Sequence, residues 1–241
     1  MKHGCYTFLK PSKNPHSEYR KYWDEEIRRC REGYVRESDG EWVPGKLYWF
    51  LNYNPMMVNK TIEGKKKAVR DEGFPFFFEG IYLRFHYLWQ AREAGKHAIE
   101  LAKRGCGKSY SLASIMTGNL ILGESEASKK RVTTVLTAYE KEYLKGDKDG
   151  TFSKFKPSLN FIRSNTPFPR LMLKNSPNEM SWQMGYKDEN GIERGSFNQV
   201  LGVSAKDNPD KLRGKRGWIL YEEMGTFKGL LPLYDTTRKS V

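Results

Sequence analysis

Cysteine is scarce in this chain: Cys5, Cys30 and Cys106 stand far apart and form no C-x-x-C pair. That argues against a disulfide framework and fits a reducing compartment. No apolar run approaches the roughly 20 residues that a membrane span needs. The opening Met1-Lys2-His3-Gly4-Cys5 leads into no apolar stretch of the kind a secretory signal requires. Internal repeats and low-complexity tracts are absent, which removes solenoids and fibrous classes. Acidic residues are also short, 29 against 42 lysines and arginines, leaving a net charge of +13. Such a balance favours an acidic polymer as partner, nucleic acid first. What is present is core material. Hydrophobic residues make up 38% and aromatics 14% of 241 residues, too much for a disordered chain and enough for one large domain or two small ones.

Periodicity gives a coarse order of elements. Tyr22, Trp23, Glu26, Ile27 and Cys30 fall at helical spacing over residues 19–31, and Gly33 suits the C-terminal cap. Residues 47–53 are continuously apolar and read equally as a buried strand or a short helix. Residues 80–94 carry a broad apolar helical face, broken by Gly95. Residues 96–102 then read as a short buried strand, followed by a second helix over 110–122 and a β-branched strand over 132–137. A helix over 152–164 surrounds Pro157 and stops at Thr166-Pro167-Phe168-Pro169. Residues 181–186 and 192–204 flank an Asn190-Gly191 turn, a hairpin signal. Trp218-Ile219-Leu220-Tyr221 is a last short strand.

Chemistry concentrates in two places. Gly105-Cys106-Gly107-Lys108-Ser109 stands between an expected strand and an expected helix. A phosphate-binding loop needs small residues that let backbone N–H groups close on a polyphosphate, a lysine for its charge and a hydroxyl for Mg²⁺. It also needs a helix N-terminus facing the anion. The general pattern has glycine at the first position, where this chain has Ala102. The second place is Glu222-Glu223, closing the last short strand. A P-loop ATPase puts an acid there for the Mg²⁺ shell and often a glutamate next to it to polarise water. Aspartate is usual at the first position, and Glu222 stands in its place. A third, weaker feature is the basic turn of Lys211, Arg213, Lys215 and Arg216 with Gly214 and Gly217. It reads as an exposed turn or as a contact to the phosphates of DNA or nucleotide.

Residues 102–109, Ala-Lys-Arg-Gly-Cys-Gly-Lys-Ser, resemble the deviant Walker A loop of the large terminase subunit of tailed bacteriophages. Leu212-Arg213-Gly214 ahead of Ile219-Leu220-Tyr221-Glu222-Glu223 resembles that family's element before its Walker B strand. The resemblance implies an α/β fold, a P-loop NTPase sheet of the RecA/ASCE type flanked by helices. An aromatic-rich N-terminal extension would occupy residues 1–72 and the ATPase domain 73–241. It implies ATP and Mg²⁺ as cofactors, with Arg104, Gly105, Cys106, Gly107, Lys108, Ser109 and Tyr110 around the nucleotide. Lys108 would hold the β/γ-phosphates, Ser109 and Glu222 the metal. Glu223 would activate water, and Arg104 would stabilise charge on the γ-phosphate. Tyr82, His86, Trp89 and Gln90 are candidate adenine contacts.

The implied work is translocation of double-stranded viral DNA into a procapsid in the host cytoplasm. A homo-oligomeric ring would do it, with the portal protein and the small terminase subunit as partners and no membrane. The family also carries a coupling motif and a C-terminal nuclease domain. The 18 residues after Glu223 show neither, so the expectation is a motor truncated at its C-terminal end, without nuclease activity. Two other readings stay open on the residues alone. One is a different nucleic-acid-dependent P-loop ATPase, helicase-like or recombinase-like. The other is a non-enzymatic basic nucleic-acid-binding module.

Overall fold

The computed structural model describes residues 17–60, 69–103, 105–124, 131–145 and 150–238. The chain divides into two units, Met1–Lys108 and Ser109–Val241. The boundary at 72/73 drawn from the sequence falls within the last strand of a hairpin of the first unit.

In the first unit α1 (Glu18–Glu32) starts at Ser17, whose hydroxyl accepts from the Arg20 N–H, and ends at Gly33 with φ +80°. Only glycine suits that position, because a Cβ there would lie 2.4 Å from the Val43 carbonyl oxygen. The chain then makes the short antiparallel pair β1 (Tyr34–Val35) and β2 (Trp42–Val43). The ambiguous apolar run resolves as a helix, α2 (Gly45–Tyr53), buried along nearly its whole length. It packs on α1, which contributes Trp23, Cys30 and the buried carboxylate of Glu26. Glu26 is satisfied there by the Tyr48 hydroxyl at 2.8 Å and the Tyr53 hydroxyl at 2.5 Å. Strands β3 (Met56–Lys60) and β4 (Val69–Gly73) form an antiparallel hairpin. Helix α3 (Glu79–Glu93) follows, with Ile81 and Phe85 buried and the Phe85 ring 5.4 Å from that of Phe50.

The strand expected over residues 96–102 does not form. Ile99 is 74% exposed and Leu101 97% exposed, and among the described residues no strand pairs with the segment. Alternation of Ile99, Glu100 and Leu101 suits a strand locally. A strand, however, is held by its ladder, and Glu100 is engaged instead by Arg84 of α3.

Helix α4 (Lys108–Leu122) begins at the last residue of the first unit and otherwise belongs to the second, where residues 111 and 113–122 are buried. The second unit contains β5 (Thr133–Ala138), α5 (Lys141–Lys145), α6 (Thr151–Asn165), β6 (Met172–Ser176) and β7 (Ser181–Met184). Next come β8 (Tyr186–Lys187), β9 (Glu193–Arg194), β10 (Gln199–Ser204), β11 (Trp218–Tyr221) and α7 (Leu230–Arg238). Five strands form a mixed sheet in the order β11-β5-β10-β7-β6. β10 and β11 both run parallel to β5, whereas β7 and β6 are antiparallel additions. The result is a mixed α/β fold, a five-stranded sheet with helices. The single long strand expected over 192–204 is broken into β9 and β10, with Gly195 at φ +122° between them. The Asn190-Gly191 turn joins β8 to β9 as expected.

Two features lock helices to this sheet. Asn119 of α4 donates to the Thr134 hydroxyl of β5 at 3.0 Å, and Asn198 accepts from the Val132 N–H at 3.0 Å while donating to the Leu120 carbonyl. Under α6, Trp182 of β7 is 1% exposed, its ring 4.9 Å from those of both Phe152 and Phe155. Pro157 sits inside α6 and forgoes one backbone hydrogen bond. Among the described residues no helix is long and apolar enough to cross a membrane.

Candidate functional site

The loop before α4 has the backbone that its glycines permit. Gly105 and Gly107 have φ of +85° and +80°, left-handed positions on either side of Cys106, and a Cβ at either would meet open space. Conformation, not crowding, therefore sets the requirement for glycine here. The loop runs directly into a helix N-terminus, a place that suits an anion, although the Cys106 N–H is taken by the Lys103 carbonyl at 3.4 Å. Lys108 and Ser109 are the first two residues of that helix. Arg104 lies outside the described residues.

Arg84 braces the loop from α3. Its Nη2 pairs with Glu100 at 2.7 Å and donates to the Cys106 carbonyl at 3.3 Å. Nothing in the local pattern marks Arg84, because the contact spans 22 residues. It also fixes which side of α3 faces the loop. Residue 82 is about 200° round the helix from residue 84, so the stripe of Tyr82, His86 and Trp89 points the other way. Those rings lie together, Tyr82 stacked on His86 at 5.4 Å and Trp89 against Trp42 of β2 at 4.2 Å. Gln90 is hydrogen-bonded to His86 at 3.0 Å. The stripe is therefore misplaced for the adenine of a nucleotide held by the loop.

Ser109 and Glu222, one residue from each sequence motif, meet within the second unit. The Ser109 hydroxyl donates to Glu222 Oε1 at 2.6 Å across 113 residues of chain. The parallel pairing of β11 with β5 delivers Glu222 there. Its N–H donates to the Thr137 carbonyl at 2.8 Å, carrying the ladder one residue past the strand. Glu222 is 6% exposed. Burial pushes its carboxyl above the usual range; the Ser109 hydrogen bond opposes the shift, and the neighbouring Glu223 adds to it. Thr151 and Lys154, on the first turn of α6, also favour the ionised form. The Thr151 hydroxyl is fully buried and makes no hydrogen bond of ordinary length. Lys154 additionally lies over the Tyr110 ring at 5.6 Å. Neither Thr151 nor Lys154 belongs to a recognisable motif, so sequence reasoning missed both.

Glu223 is placed differently. It is exposed and left-handed at φ +50°, ψ +52°, and its carbonyl accepts from the N–H and hydroxyl of Thr226 in a single 3-10 turn. Glu223 shares this left-handed backbone with Met180, Phe197 and Lys206.

Among the described residues no three His, Cys, Asp or Glu side chains form a metal cluster. The Ser109–Glu222 pair nevertheless fits Mg²⁺. It offers one hydroxyl and one desolvated carboxylate, a donor set that leaves the remaining positions to phosphate oxygens and water. The basic turn is less committed. Lys211 donates to the Ser204 carbonyl at 3.0 Å and Arg213 pairs with Asp210 at 2.7 Å. Lys211, Arg213 and Arg216 are exposed and Lys215 half-buried, while Leu212 anchors the turn in the core.

No family model, curated protein or solved structure matches this chain.

Proposed function

We propose that the chain is an ATP-hydrolysing motor of the phage large-terminase type, acting on double-stranded viral DNA. The observation that carries the reading is the 2.6 Å hydrogen bond between Ser109 and Glu222. The pairing brings together the one hydroxyl and the one carboxylate that a Mg²⁺–nucleotide site would need from the two motifs. The left-handed glycines of the loop support the same reading, as does the parallel trio β11-β5-β10 of the second unit. In the RecA/ASCE P-loop fold a strand leads into the loop; here residues 96–102 leave that part of the pattern unfilled.

Loop N–H groups and Lys108 would bind the β/γ-phosphates of ATP, and Tyr110 would line the same end of α4. Ser109 and Glu222 would hold Mg²⁺, which supplies charge neutralisation between the phosphates. Glu223 would accept a proton from the attacking water. Arg104 would stabilise charge on the γ-phosphate. Lys215 and Arg216, with Lys211 and Arg213, would meet DNA phosphates. By resemblance the motor would act as a ring on the portal of a procapsid in the host cytoplasm, with the small terminase subunit as a further partner.

The test is DNA-stimulated ATP hydrolysis by the chain and by Lys108→Ala and Glu223→Gln variants. Each variant is expected to lose at least about 100-fold in turnover, the scale of a lost charge-stabilising or proton-transfer group. Wild-type-like turnover in both would overturn the assignment. Strand separation accompanying hydrolysis would point to a helicase instead.

A further inference from the structure

A cavity of ≈ 220 Å³ opens on the face of α3 that turns away from Arg84, lined by Arg36, Glu41, Val43, Phe77, Glu79 and Tyr82. It is too small for a nucleotide or a drug-sized ligand and suits a single side chain. Its walls are aromatic and aliphatic: the Phe77 and Tyr82 rings lie 6.3 Å apart at 59°, and Val43 forms the buried floor. The surface inside is almost wholly apolar, and the charge around its rim is negative. Arg36 is already neutralised, because Nε donates to Asp39 Oδ1 at 2.8 Å and Nη2 pairs with the other oxygen of the same carboxylate. Glu41 and Glu79 remain, both exposed. The Tyr82 hydroxyl reaches Glu41 only at 3.4 Å, which leaves that carboxylate most of its acceptor capacity.

Aromatic faces attract a cation through their quadrupole, and a carboxylate pair strengthens that attraction at short range. The same carboxylates repel phosphate, so nucleic acid and nucleotides are disfavoured at this place on a chain that is otherwise strongly basic. We propose that this pocket binds the arginine or lysine side chain of a basic segment in a partner protein. The inference does not depend on the ATPase reading, since the pocket and the phosphate loop lie on different faces of α3.

The test is a tryptophan-fluorescence titration of the chain with Nα-acetyl-arginine methylamide, its lysine counterpart and the neutral citrulline analogue. Trp42 stands between the lining residues Glu41 and Val43, its carbonyl 3.4 Å from the Tyr82 hydroxyl, and is the reporter of occupancy. A saturable response to the two cations is expected, with citrulline weaker by roughly tenfold or more. A Glu41→Gln/Glu79→Gln variant, which leaves the apolar walls intact, should lose the response to a similar degree while melting as the wild type does. Equal responses to arginine and citrulline would overturn the proposal. So would an unchanged response in the double variant, or preferential binding of adenosine monophosphate that the double variant strengthens.

Discussion

Glu222 shows how a buried carboxylate strains its own fold. Burial pushes its carboxyl above the ordinary 4.5, and Ser109, Thr151 and Lys154 offset part of the desolvation. Between the ordinary and the raised value the folded state binds more protons than the unfolded state, so stability falls as pH rises through that window. Above the raised value the cost is fully present. Glu222→Gln removes it while keeping an acceptor for the Ser109 hydroxyl. The variant should be more stable than wild type at pH 8, read as a higher melting temperature. The difference should shrink toward pH 4.5. Thermal melting across pH checks this, and a gap that widens on acidification would contradict it. At this scale the sequence was partly readable. Ser109 and Glu222 stand in patterns that chemistry recognises, whereas Arg84, Thr151 and Lys154 act through contacts that only the folded chain brings about.

Elements were legible where the signal is local. Helices α1, α3, α4 and α6 follow from apolar spacing and caps, and β11 from four apolar residues between a glycine and two acids. Residues 96–102 read as a short buried strand but form none, because pairing decides a strand and pairing is nonlocal. The run at 47–53 lacked any periodicity to choose between strand and helix; its burial on all sides explains why. The register of β11 on β5 rests on Gly217, at φ +100°, where a Cβ would fall 2.4 Å from the Thr133 carbonyl oxygen. Gly217→Ala should displace β11 and with it Glu222, lowering both melting temperature and ATP turnover. Trp182→Ala, in the aromatic layer under α6, should cost about 3–5 kcal/mol. Its direct effect on the Ser109–Glu222 pair should be small, which denaturant unfolding and turnover measured side by side would separate. Equal loss of turnover per unit of stability in both variants would contradict the special role given to Gly217.

At the scale of the whole molecule the +13 charge is the dominant fact. If the chain grips DNA through its backbone, affinity should fall linearly on a logarithmic plot against salt, with a slope near 0.9 per phosphate contacted. It should also be indifferent to sequence. Fluorescence anisotropy with two unrelated duplexes at several salt concentrations reads both, and salt-insensitive or sequence-dependent binding would contradict a backbone grip. The central proposal, that Ser109 and Glu222 serve one Mg²⁺–nucleotide site, is tested most directly by equilibrium ATP binding with and without Mg²⁺. The measurement uses the wild-type chain and the Ser109→Ala and Glu222→Gln variants. Mg²⁺ should tighten ATP binding by roughly tenfold or more in the wild type. Both variants should keep the metal-free affinity and lose the enhancement, even though Glu222→Gln melts higher. Absence of a Mg²⁺ effect in the wild type, or an undiminished effect in both variants, would contradict the account.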